Sequence, residues 1–116
     1  MASLNTFGAI LSHAVEIESR LSAYFTDIGE AEKAKAADKR RKKLERVRRE
    51  NVVEITLEPI EGLSADDYAL DLNDGSAAGQ AAAAQVAARF YADVAPKINV
   101  RAAQRALERC GKEHAR

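Results

Sequence analysis

Apolar residues recur along the first quarter of the chain with the period of a helix. Phe7, Ala14, Leu21 and Ile28 stand seven residues apart. Ile10, Ile17 and Tyr24 form a second line, and Leu11, Glu18 and Phe25 a third beside it. Such spacings share one helix face, so an amphipathic helix is predicted over 4–28. Ser3 or Asn5 is placed to cap its start and Gly29 to end it. The stretch EAEKAKAADKRRKKLERVRREN, which follows, is made of good helix formers. An inward line appears at Leu44, Val47, Asn51 (or Val52) and Ile55. In VVEITLEPI the same apolar residues also alternate as in a half-buried strand, with DYALDL at 67–72 to pair with. Helix over 30–57, stopped by Pro59, is the preferred reading, and strand at 52–58 stays open.

Residues 59–76 form a connection rich in Gly, Asp and Ser, with Leu63, Tyr68, Leu70 and Leu72 expected against the core. Asp74, Gly75 and Ser76 supply the next helix start. An Ala-rich helix is predicted over 77–95, with a core line through Gly79, Ala83, Val86, Phe90 and Val94 and Pro96 ending it. Asn99 is placed to cap a last helix over 100–114, which buries Val100, Ala103, Leu107, Cys110 and His114. The predicted fold is all-α: one domain over 1–116, an antiparallel four-helix bundle of two helical hairpins joined by a longer central connection. The two halves echo each other weakly, in SAYFTDIG and ARFYADVA.

The 116 residues are 47% hydrophobic and 31% charged, with zero formal net charge. That is a globular composition whose overall field steers no particular partner. Cys110 is the single cysteine, which excludes an internal disulfide framework. The first residues lack a basic leader and a cleavage pattern, and no run of 18 apolar residues occurs, so a cytoplasmic protein without a membrane anchor is expected. There is no nucleophile elbow and no phosphate-binding glycine loop. Cys110 reads as a small core residue and His13 as a surface residue on the flank of the first helix.

With FGAILSHAVEIESRLSAYF in the first helix and QVAARFYADVAPKI in the third, the chain resembles the ferritin-like, rubrerythrin-like superfamily. That resemblance implies a bundle that holds two irons between its helices for oxidase or peroxidase chemistry. Such a site takes a carboxylate from each of two helices and a Glu-x-x-His pair from each of the others. Glu18 matches one carboxylate, seven residues before Phe25, where the family often has Tyr. The second helix offers Glu45-x-x-Arg48, and a guanidinium has no lone pair to give. The third has Ala83 and Ala84 seven residues before Phe90 and Tyr91. The fourth has His114, with Gly111 three residues earlier and Glu113 expected to point elsewhere. Candidate metal ligands are therefore Glu18, Glu45 and His114 alone. No metal or cofactor is expected in one chain; iron enters only through an incomplete or intersubunit site.

Glu18 on an inward line needs a partner, and a basic residue of the second helix such as Arg48 is expected to supply it. Lys39, Arg40, Arg41, Lys42, Lys43, Arg46, Arg48 and Arg49 make a basic run. Phosphates would answer it, but no aromatic interleaves it for base stacking. A docking surface for an acidic protein segment, including an acidic loop of another copy, is the preferred reading. The Ala-rich third helix exposes little that must stay in water, which suits self-association. The expected role is non-catalytic: a homo-oligomeric interaction or assembly protein. The alternatives are a rubrerythrin-like di-iron oxidase or iron-handling protein, and a nucleic-acid-associated protein that uses the basic helix.

Overall fold

The computed structural model of the protein describes residues 4, 6–51, 63–98 and 100–115. It is all-helical, with α1 (Phe7–Asp27), α2 (Ala31–Asn51), α3 (Ala77–Val94) and α4 (Arg101–Ala115). One-turn 3-10 segments occur at Ala65–Tyr68 and Ala95–Lys97. No strand occurs among the described residues. The open question at 52–58 lies outside the described residues, as do Ser3, Asn5 and Asn99.

Local chemistry sets the helix ends. Thr6 caps α1, its hydroxyl accepting from the Ala9 amide at 3.0 Å. The helix begins there rather than at residue 4. Leu4 lies ahead of the cap and is buried, its amide on the Leu63 carbonyl at 3.4 Å. At the other end Gly29 takes a φ of +80°. The Glu30 amide returns to the Phe25 carbonyl at 2.8 Å and the Gly29 amide to Thr26 at 3.2 Å. This is a Schellman closure, which needs a left-handed residue. Within the helix start expected at 74–76, Ser76 is the cap of α3, accepting from the Gly79 amide at 3.2 Å.

α1 packs along α2, α3 along α4, and α2 also meets α4. The core joins Ile10, Leu11, Ala14, Ile17 and Leu21 to Ala37, Leu44, Phe90, Val94, Ala103 and Leu107. Val86, placed on the core line from the sequence, is only half-buried; Ala87 and Tyr91 are buried instead. Gly79, Ala83, Phe90 and Val94 are buried as expected, so the inward face of α3 is wider than predicted, extended by Ala87 and Tyr91. Gly111 lets α4 approach α3 closely, since a Cβ there would lie 2.9 Å from Cβ of Tyr91.

The described part of the connection, 63–76, is anchored at Asp67, Tyr68 and Asp74. The Tyr68 hydroxyl donates to Asp93 at 2.7 Å, and its ring meets Phe90 edge-on. Arg89 donates to the Asp67 carbonyl at 2.6 Å, and Tyr24 donates to the Asp74 carbonyl at 2.5 Å. Tyr68 and Leu70 are buried, and Leu63 and Leu72 pack partly buried against the core, as expected. No described helix is long and apolar enough to cross a membrane.

A Cβ at residue 29 would meet nothing within 4 Å, so substitution there costs conformation alone. Gly29→Ala is expected to lower stability by about 1–2 kcal/mol, read from urea unfolding, with the helical signal of the folded state unchanged.

Candidate functional site

The stripe that makes α1 amphipathic also carries a carboxylate inside. Glu18 stands between Leu11 and Phe25 on that face and is 0% exposed. A buried carboxylate without partners would cost several kcal/mol. Here each of the other three helices supplies a donor. Arg40 of α2 donates from Nε to Glu18 Oε1 at 2.8 Å. Tyr91 of α3 donates its phenol proton to Oε2 at 2.6 Å. His114 of α4 lies with Nε2 2.8 Å from the same oxygen. An ionised carboxylate only accepts, so Nε2 carries the proton of that bond. Arg40 also donates from Nη1 to Glu113 at 3.0 Å, and the His114 ring stacks on Tyr91, nearly parallel at 5.9 Å.

Electrostatics follow from this geometry. Burial pushes the Glu18 carboxyl up, but His114, Arg40 and the Tyr91 hydroxyl together outweigh it and hold the group below the usual carboxylate range. Burial and the Glu18 charge push the Tyr91 phenol well above its ordinary value. Burial first, then Glu18 and Glu113, raise the Cys110 thiol to about 12. At that value Cys110 is a protonated core residue, not a nucleophile.

Several expectations change here. The partner of Glu18 is Arg40, not Arg48. Ser22 of α1 bonds the Ala34 carbonyl of α2 at 3.3 Å, and this register brings residue 18 opposite residue 40. Arg48 is exposed and lies two turns away, in a groove with Ser12, Val15, Glu45 and Arg49. Arg40 accordingly leaves the basic surface to which the sequence assigned it. Glu113, expected to point elsewhere, closes the cluster. Glu45 takes no part and pairs with Arg41 at 2.7 Å. His13 is half-buried rather than on the surface, its ring edge-on to Phe90 at 5.3 Å. Its Nε2 has no hydrogen-bond partner among the described residues, and burial lowers its pKa against the pull of Glu16.

Arg40, Tyr91 and Glu113 are the cluster members that sequence reasoning missed. A signal for Arg40 was present: the inward line through Leu44 and Val47, extended backwards, passes through Arg40 and Ala37.

The donor set does not fit a di-iron centre. Beside one carboxylate and one imidazole stands a guanidinium, which cannot coordinate and places positive charge where the metal would lie. No group of three or more His, Cys, Asp or Glu suited to a metal occurs among the described residues. The cluster is instead a closed hydrogen-bonded ion pair. Comparison with family models, curated proteins and solved structures finds no match. The function is therefore argued from the site's own chemistry.

Glu18→Gln keeps the shape but removes the charge, leaving Arg40 with Glu113 alone, whose side chain is 37% exposed. The expected loss is about 3–5 kcal/mol in chemical denaturation, against about 1–3 kcal/mol for Tyr91→Phe.

A carboxylate whose folded pKa is depressed stabilises the fold fully above its ordinary value of 4.5, and that stability is lost as pH falls through the lower folded value. The stability gap between the unaltered protein and Glu18→Gln is therefore expected to be constant near neutrality and to shrink as pH falls below 4.5 and through the lower folded value. Thermal unfolding across pH measures it.

Proposed function

We propose that this chain is a ferritin-like, antiparallel four-helix bundle that works without a di-iron centre, as a non-catalytic interaction or assembly protein. The observation that carries the reading is the saturation of Glu18. The residue that best matches a family ligand has both carboxylate oxygens taken by Arg40, Tyr91 and His114. A guanidinium supplies the positive charge that a metal would bring, and the helices are held together by it. Cys110 adds no chemistry, since it is buried and its thiol stays protonated.

Two surfaces support an assembly role. Exposed positions on α3 include Ala77, Ala78, Ala81, Ala82 and Ala92, so contact there buries few polar groups. The outer face of α2 is densely charged. We place the protein in the cytoplasm as a homo-oligomer.

Metal analysis of untagged protein, together with its mass in solution, tests the reading. The expected result is no stoichiometric iron and a mass above that of one chain. About two irons per chain would overturn the metal-free reading. A single-chain mass at every concentration would overturn the assembly role.

A further inference from the structure

α2 carries ten of the 18 Lys and Arg but only four of the 18 Asp and Glu. Arg40 turns inward to Glu18. On the outer side, Lys35, Lys39, Lys42, Arg46 and Arg49 are all exposed. Their spacings of three and four residues place them within an arc of about 80°, centred opposite Leu44, along about 21 Å of helix. Lys42 meets Asp38 at 3.2 Å and Arg46 meets Glu50 at 3.0 Å; both are exposed pairs, which bind weakly. Lys35, Lys39 and Arg49 have no ion pair among the described residues. The crest is therefore a single file of five cations, two of them weakly paired on their own helix.

The opposite charge is gathered in the connection. Asp66, Asp67, Asp71 and Asp74 are exposed there, and 63–76 contains no Lys or Arg. None of these four carboxylates forms an ion pair among the described residues. The segment is held in place by Tyr68 on Asp93, Arg89 on the Asp67 carbonyl and Tyr24 on the Asp74 carbonyl. It is thus a fixed acidic ridge. It packs on α1 and α3, while α2 packs on α1 and α4, and no ion pair joins ridge to crest among the described residues.

Zero net charge with such separation is self-complementary between copies. We propose that the α2 crest of one molecule docks on the acidic connection of a second copy of this chain. The contact joins two different surfaces, so it closes into a ring or repeats along an axis, according to the rotation between copies. This inference rests on the assembly role proposed above and names the surface that performs it.

The test is sedimentation of the full chain and two charge-reversed variants, Lys39→Glu/Arg46→Glu/Arg49→Glu and Asp66→Lys/Asp67→Lys/Asp71→Lys. All these side chains are exposed, and circular dichroism checks that each variant is folded. The unaltered chain should associate at about 50 mM salt and weaken by about tenfold or more at about 500 mM. Each variant alone should have a single-chain mass, and mixing the two should restore association. If both variants keep the unaltered mass, the interface is overturned while the assembly role stands. If the unaltered chain is a single chain at low salt, both fall. Salt-dependent binding of single-stranded RNA through the crest, with no restored association on mixing, would overturn the proposal in favour of a nucleic-acid partner.

Discussion

One buried carboxylate organises this molecule. An ionised group removed from water needs donors for both oxygens, and Glu18 obtains them from side chains 22, 73 and 96 residues further along the chain. Meeting that demand aligns four helices at one level. α2 must present Arg40 inward, α3 must turn Tyr91 as well as Phe90 to the core, and α4 must bring its last turn to the centre. An aliphatic residue at position 18 would tolerate several rotations of each helix. A carboxylate with three named partners tolerates very few, because each misplaced helix leaves a donor or acceptor unpaired. The largely aliphatic and Ala-based core around it supplies cohesion but little direction.

Close approach supports the same alignment. Gly111 sits against the Cβ of Tyr91, so α3 and α4 meet where the phenol must reach across to α1. The turn at Gly29 is short, which limits how far α2 can slide along α1. Neither glycine touches the carboxylate, yet both set where its partners arrive.

Much of this was legible in the sequence because periodicity reports burial directly. The stripe of α1, the Gly29 end, the Ser76 cap and the anchored leucines of the connection follow from local rules. Glu18 was visibly inward, and His114 was visibly on the line of Cys110. The pairing was not legible, because it depends on the axial register between helices, which single-helix patterns do not encode. Arg40 was hidden inside a run of like charges, where its inward position counted for less than its company. Tyr91 was missed because Ala-rich helices have weak moments: when nearly every position is small, the core face is set by the one or two large residues. Asp38, Glu45 and Glu50 pair along their own helix and thin the basic surface.

The placement of His114 also bears on how the chain is made. Translation delivers Glu18 and His114 separated by 96 residues, an interval of about 5–20 s at ordinary elongation rates. In that interval α1 and α2 can pair, and Arg40 can reach Glu18, but one carboxylate oxygen still lacks both of its donors. The first helical pair therefore emerges as an incomplete half, with an apolar face and a partly satisfied charge. Its completion waits for α4. The nascent chain is held short of its final state until both Tyr91 and His114 have emerged to reach that oxygen.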